Sequence, residues 1–252
     1  MLENVALFAL IGFLAQIIDG ALGMAYGVSA TTFLLSFGVS PALASASVHA
    51  AECVTTAFSG LSHLGFGNVD QRLFKRLVLP GVVGAVLGAY VLTRFPGDLI
   101  KPWIAAYLLV MGIYILIKAF RNIMPASVGS HPISLGLVGG LMDAVGGGGW
   151  GPIVVSTLVA RGNDPRLTIG SANLAEFFVA LTASLTFVVS IGRGELNNLW
   201  PAIAGLAIGG AFAAPLAALL TRRIKARTLM FMVGVLIALL SLRTMLQTLG
   251  VF

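Results

Sequence analysis

Ser45, His49, Glu52 and Thr56 fall at i, i+4, i+7 and i+11 within "ASASVHAAECVTT", so one helix face would carry all four. Asn173, Glu176 and Ala180 make a second such face in "GSANLAEFFVA", with Ser171 just ahead of it. Serine, histidine and asparagine donate hydrogen bonds, whereas a glutamate donates only while protonated. Such groups could hold a small oxyanion, bind a cation or pass a proton. Asp19 and Asp143 open two glycine-rich stretches, "DGALGMAYG" and "DAVGGGGWGP". Their plain role is to cap a helix that restarts after the glycines; direct contact with a solute is the alternative. His49 has its own plain reading, as a packed and satisfied core side chain.

These polar residues sit in a very apolar chain. Of 252 residues 58% are hydrophobic and 10% charged, with a mean hydropathy of +1.00. Apolar stretches of membrane-spanning length recur along nearly all of it. The chain therefore reads as an all-α polytopic membrane protein with no soluble domain. Its net charge of +6 reflects basic connecting loops rather than a nucleic-acid surface. Glu3 is the only charge ahead of the first apolar segment, so that segment does not read as a removable signal peptide. The single Cys53 excludes an intrachain disulfide and offers no metal-ligand pattern; its expected role is packing. Gly146, Gly148 and Gly151 match a dinucleotide-binding glycine pattern, but no strand–turn–helix surrounds them. Nothing resembles a catalytic triad or a nucleotide-binding loop. We therefore expect no enzyme activity, cofactor or metal, and ATP-driven transport would need another subunit.

The chain also repeats itself. Asp19, Gly23, Tyr26, Gly27, Gly38, Pro41, Ser47, His49 and Glu52 match Asp143, Gly147, Trp150, Gly151, Gly162, Pro165, Ser171, Asn173 and Glu176 at a constant offset of 124. The match continues, with a small drift, from Pro80, Gly84 and Gly88 to Pro201, Gly205 and Gly209. Two units, 1–124 and 125–252, are expected. Each has four apolar segments: 5–37 or 134–160, 41–64 or 165–190, 74–94 or 198–220, and 102–120 or 228–249. Ser40-Pro41 and Asp164-Pro165 mark the starts of the second segments. The glycine pairs in the third read as sites of close helix packing.

Glycine breaks inside the first segment survive in a bilayer only when buried in protein or lining a wet cavity. The segment either crosses as a kinked span or dips in and returns. Charge decides between them. With re-entry, Arg72, Lys75, Arg76, Lys118, Arg121, Arg161, Arg166, Arg222, Arg223, Lys225 and Arg227 share one side, against Arg94, Lys101, Arg193 and Arg243, or 11 to 4. With crossing the count is 8 to 7 and the bias disappears. The positive-inside rule favours re-entry, with basic loops in the cytoplasm and both termini outside. Three crossings per unit then invert the second copy, a recurring build of secondary transporters.

Glu52 lies eleven residues into its segment, about 16 Å at 1.5 Å per residue, and so near the middle of a hydrocarbon core of about 30 Å. Glu176 reaches a similar depth from the opposite side. The sequence thus shows four carboxyls and no basic residue at membrane depth. Charge alone suggests binding of a cation or proton; the broken helices suggest an anion held by backbone amides at half-helix N-termini. The residues leave both open.

The stretches "GFLAQIIDGALGMAYGV", "ASASVHAAE", "GLSHLGFGNVD" and "LPGVVGAVLGAYV", with "DAVGGGGWGP" and "GSANLAE", resemble the TauE/SafE sulfite exporter family, also called the toluene sulfonate uptake permease family. The resemblance covers essentially the full length. It implies a secondary transporter of the bacterial inner membrane that moves small sulfur-containing anions such as sulfite or an organosulfonate. It thereby tips the choice towards an anion. Cys53 stands where the family pattern leads us to expect an aliphatic residue.

The expected site lies at the midplane between the units. Ser45, His49, Ser171, Asn173, Gly23, Gly27, Gly147, Gly148 and Gly151 would contact a small anion. Glu52, Glu176, Asp19 and Asp143 would couple protons or hold the architecture. The alternative is a proton- or cation-coupled carrier of another small solute.

Overall fold

A computed structural model describes residues 4–120, 131–192, 194, 197–220 and 226–250. Arg121, Arg193, Arg222, Arg223 and Lys225 of the charge count, and the boundary at 124 and 125, lie outside the described residues. Among the described residues all regular structure is helical. The helices are α1 (Val5–Leu22), α2 (Tyr26–Ser36), α3 (Pro41–Gly65), α4 (Gln71–Arg94), α5 (Gly97–Phe120), α6 (Pro132–Gly146), α7 (Ser156–Ala160), α8 (Pro165–Ile191), α9 (Trp200–Leu220) and α10 (Ala226–Thr248). A π-helical turn, Trp150–Val155, leads directly into α7.

Local chemistry sets the boundaries. Asp70 Oδ1 accepts from the amides of Arg72 and Leu73 and starts α4. Asp164 accepts from the Leu167 amide ahead of Pro165 and starts α8. Ser40 takes the same position before Pro41 in extended backbone, but its side chain makes no capping bond. α4, α5, α8 and the Met230–Thr248 part of α10 are long and apolar enough to cross a membrane. Shorter apolar helices are Val5–Asp19, Pro132–Gly146, Trp150–Ala160 and Trp200–Ala214. α3 has the length, at 25 residues, but carries Ser45, Ser47, His49, Glu52, Thr55 and Thr56 buried along it.

Helices in lipid gain little from hiding apolar surface, so they associate through close packing of small residues. That is what the glycines do here. Gly84 and Gly88 of α4 lie against the backbone of Leu137 and Leu141 in α6. Gly205 and Gly209 of α9 lie in the same way against Val5, Phe8, Ala9 and Phe13 of α1. α5 packs on α10 through Gly112 and Gly234, and α3 packs on α8. Each of these pairs joins an element before residue 121 to one after 131. The first and third apolar segments exchange partners reciprocally: α1 takes α9, and α6 takes α4.

The contacts also give directions. Leu77 meets Gly136 and Gly81 meets Gly140, so α4 and α6 run the same way. Gly205 meets Phe8 and Gly209 meets Phe13, so α1 and α9 do likewise. His49 sits against Phe187 while Ser59 meets Asn173, so α3 and α8 run oppositely. Phe120 meets Phe231 and Gly112 meets Ala238, so α5 and α10 also run oppositely.

A side chain at Gly209 would collide with the Ala9 backbone, whereas Gly65 faces open space. Gly209→Val should destabilise the detergent-solubilised protein by at least about 1–3 kcal/mol in a denaturation series. Gly65→Ala should leave its midpoint unchanged.

Candidate functional site

α1 and α6 both stop at a left-handed glycine, Gly23 with φ +64° and Gly147 with φ +65°. In each the glycine N–H returns to an aspartate carbonyl, that of Asp19 or Asp143. This C-cap suits a residue without Cβ. Both chains restart 124 positions apart, at Tyr26 and at Trp150. The aspartate side chains cap the restarts, as their plain reading anticipates. Asp143 Oδ1 accepts from the amides of Gly149 at 2.7 Å and Trp150 at 2.9 Å. Asp19 Oδ1 accepts from the Tyr26 amide at 3.4 Å.

The two breaks lie directly against each other. A Cβ on Gly27 would fall 2.7 Å from Glu52 Oε1 and from the Gly148 Cα. One on Gly148 would meet Gly27 and the Val28 nitrogen, and one on Gly151 would meet Met24 and the Gly23 carbonyl. Glycine is required for this approach of backbone to backbone. Thr31 Oγ1 donates to the Gly147 carbonyl at 2.5 Å, and the Tyr107 hydroxyl donates to the Gly148 carbonyl at 3.2 Å. Tyr26 and Trp150 anchor the restarts by donating to the carbonyls of Leu206 and Ala172.

α3 is fastened to the second break. Ser45 Oγ donates to the Ala144 carbonyl at 2.6 Å, and His49 Nε2 lies 3.2 Å from Asp143 Oδ2. One helical turn on, Glu52 is 2% exposed and its Oε2 has no hydrogen-bond partner. His49, Glu52 and Asp143 place one ligand atom each within 4.8 Å of one another, close enough to share a metal ion.

Between the breaks is a polar cavity of about 10 Å³, lined by Asp19, Ala25, Tyr26, Gly27, Val28, Glu52, Asp143, Gly148, Gly149, Gly151, Pro152 and Glu176. That is room for about one water. Its lining includes Gly27 and Val28 of the first turn of α2, whose amides have no carbonyl partner within their own helix. All four carboxyls expected at depth converge here. Ser45, His49, Gly23 and Gly147 stand immediately behind the lining. Ser171 and Asn173 do not line it: Ser171 Oγ accepts from the Asp70 amide, and Asn173 donates to Ser59 Oγ.

Sequence reading placed the backbone of 23–27 and 147–151 around the site without singling out Ala25, Tyr26 or Gly149, and it missed Val28 and Pro152 in the lining and Thr31 and Tyr107 behind it. The offset match of Tyr26 to Trp150 was the one available signal. Lys118, counted among the loop cations, closes the last turn of α5 and turns inward to donate to Ser156 Oγ at 2.9 Å. Cys53 is half-buried, 3.6 Å from Ser184 Oγ. A larger hollow of about 540 Å³, bounded by Phe95, Leu99, Trp103 and Tyr107, is almost wholly apolar and offers a charged solute nothing.

Comparison with known proteins gives two matches. Residues 8–244 match the family described as Sulfite exporter TauE/SafE. The chain is 45% identical, over 98% of its length and 84% of the relative's, to a protein of Bacillus subtilis (strain 168) named "Probable membrane transporter protein YtnM". No solved structure matches.

The capping distances make the two aspartates unequal. Asp143→Ala would orphan two amides and the His49 contact, at about 1–3 kcal/mol for each buried group. Asp19→Ala would lose one long bond. In parallel melts Asp143→Ala should therefore be the more destabilised variant.

Proposed function

Because the chain belongs to the TauE/SafE sulfite exporter family, and is thus an integral membrane transporter and not an enzyme, we propose that it exports a small sulfur oxyanion, sulfite foremost, through the cavity between the two glycine breaks. The observation that carries this reading is the meeting of two half-helix starts on one enclosed polar space. Exposed first-turn amides and the positive ends of helix dipoles bind an oxyanion without any lysine or arginine. Ser45, behind the wall, can add a donor when it rearranges and its bond to the Ala144 carbonyl is released. Sulfite is larger than a water, so a cavity of about 10 Å³ must widen to take it. Loading and release are then movements of the two breaks relative to α3 and α8.

The architecture proposed for this is two inverted units, 1–124 and 125–252, each with a re-entrant first segment and three crossings. Support comes from the reciprocal exchange of partners and from the helix directions. α6 runs parallel to α4, and α4 contacts α8 through Phe74 with Phe178 and through Gly81 with Val179. Asn68, between α3 and α4, lies beside Arg166 at the start of α8. A segment that enters along α6 and is followed by α8 starting on that same face has turned back.

Glu52 and Glu176 are proposed to exchange protons during turnover, since they face the cavity with no basic residue in its lining. A carrier of another solute, coupled to protons or cations through the same four carboxyls, is the second reading, favoured by that concentration of acid.

Proteoliposomes loaded with sulfite should release it at least about tenfold faster than empty-vector controls. Release of cations but not sulfite would move the assignment to the second reading. Glu52→Gln and Glu176→Gln keep shape and donors but cannot titrate. These variants should still bind sulfite and lose the pH dependence of efflux; binding lost with pH dependence intact would make the glutamates structural. Topology has its own check, in a Cys53→Ala background. Cysteines at Asn4 and Ser40 should be labelled from outside, and cysteines at Gln71 and Asn163 from the cytoplasm. Labelling of Asn4 and Ser40 from opposite faces would rule out re-entry.

A further inference from the structure

The His49 ring poses a problem of donors and acceptors. Nδ1 lies 2.8 Å from the Ser45 carbonyl and 3.3 Å from Ser45 Oγ. That hydroxyl gives its own hydrogen to the Ala144 carbonyl. Both neighbours of Nδ1 are therefore acceptors, so Nδ1 carries the ring hydrogen and Nε2 of the neutral ring is a bare lone pair. It faces Asp143 Oδ2 at 3.2 Å, with the two side chains 0% and 1% exposed. The remaining oxygen, Asp143 Oδ1, is already engaged by two amides. Lone pair meets lone pair between two buried side chains, so something positive belongs beside them. A proton would satisfy the pair but leave the buried Glu52 Oε2 without a partner. A metal ion would engage all three residues.

We propose that His49, Glu52 and Asp143 form a binding site for a first-row transition dication, with zinc as the reference ion. Ligands of a tetrahedral ion with bonds of about 2.0 Å stand about 3.3 Å apart. The His49–Asp143 separation of 3.2 Å is already such an edge. The three ligand atoms lie within 4.8 Å of one another, and rotation of the Glu52 side chain closes the set. Outer partners are in place as well. The Nδ1–H on a backbone carbonyl and the amides on Asp143 Oδ1 fix ring and carboxylate in the manner of metal-bound His and Asp. An imidazole with two carboxylates suits zinc or its neighbours better than Na⁺, Mg²⁺ or Ca²⁺, which take oxygen alone. The fourth position opens on the water-sized cavity. The site stands whatever anion is carried; with the ion bound Glu52 is a ligand, and Glu176 is left to exchange protons.

The test uses the full chain without a polyhistidine tag, purified in detergent and stripped with a chelator. Titration with ZnCl₂ against a chromophoric competitor should give one zinc per chain. X-ray absorption should show one imidazole nitrogen among oxygen ligands. Glu52→Gln and His49→Gln should weaken binding at least about 100-fold, while His63→Gln, at the far end of α3, leaves it unchanged. The variants' metal-free melting temperatures serve as the folding control, and zinc should raise the melting temperature of the wild type and of His63→Gln but not of Glu52→Gln or His49→Gln. Absence of binding by the wild type overturns the proposal. So does equal binding by wild type and Glu52→Gln, which would be an adventitious ion only. A nitrogen NMR spectrum showing both His49 nitrogens protonated in the presence of zinc would assign the place to a proton instead.

Discussion

Backbone polar groups freed by a break in a helix have no water to turn to inside a bilayer, and leaving them bare costs several kcal/mol each. This chain meets that constraint by setting one break against the other. Gly27, Gly148 and Gly151 bring the two within backbone contact, and Asp19 and Asp143 accept from the amides where each helix restarts. The remaining structure holds the two breaks in place. α9 and α4 support α1 and α6 through their glycines, and α3 and α8 close the sides with Glu52 and Glu176. The result is a polar, enclosed space between the breaks.

The site is electrically peculiar. Four carboxyls approach a cavity that also lies at the starts of half-helices, and among the described residues no lysine or arginine enters its lining. The inward-turned ammonium of Lys118 is bound to Ser156 at the start of α7. Anion binding at the amides and positive charge at the carboxyls are therefore complementary demands. A positive species among His49, Glu52 and Asp143, as proposed above, would lower the repulsion an incoming oxyanion meets.

Much of this was legible in the sequence where chemistry is local. The constant offset located both breaks, and Gly23 and Gly147 adopt the same φ to within a degree. The aspartate caps follow from the residue type ahead of each glycine run. The glycine pairs at 84, 88, 205 and 209 anticipated close packing, although not which helix they meet. Helix-face arithmetic was weaker. Asn173 and Glu176 share a face of α8, yet Glu176 reaches the cavity while Asn173 turns to Ser59 on α3. Spacing gives direction around one helix; the neighbour depends on how helices cross. Thr31, Tyr107 and Lys118 act through contacts 38 to 116 residues away in the chain, and no local pattern announces those. The His49, Glu52 and Asp143 cluster was invisible for the same reason.

The central claim is that the solute binds between the two breaks, and Trp150, whose amide is held by the cavity-lining Asp143, is a built-in reporter beside that space. It is fully buried at the restart of the second break, whereas Trp103 is 76% and Trp200 63% exposed. In a Trp103→Phe, Trp200→Phe protein the emission comes from Trp150 alone. Titration with sulfite should change that emission saturably, with a midpoint matching calorimetric binding. Saturable calorimetric binding that leaves Trp150 emission unmoved would place the solute elsewhere and contradict the account.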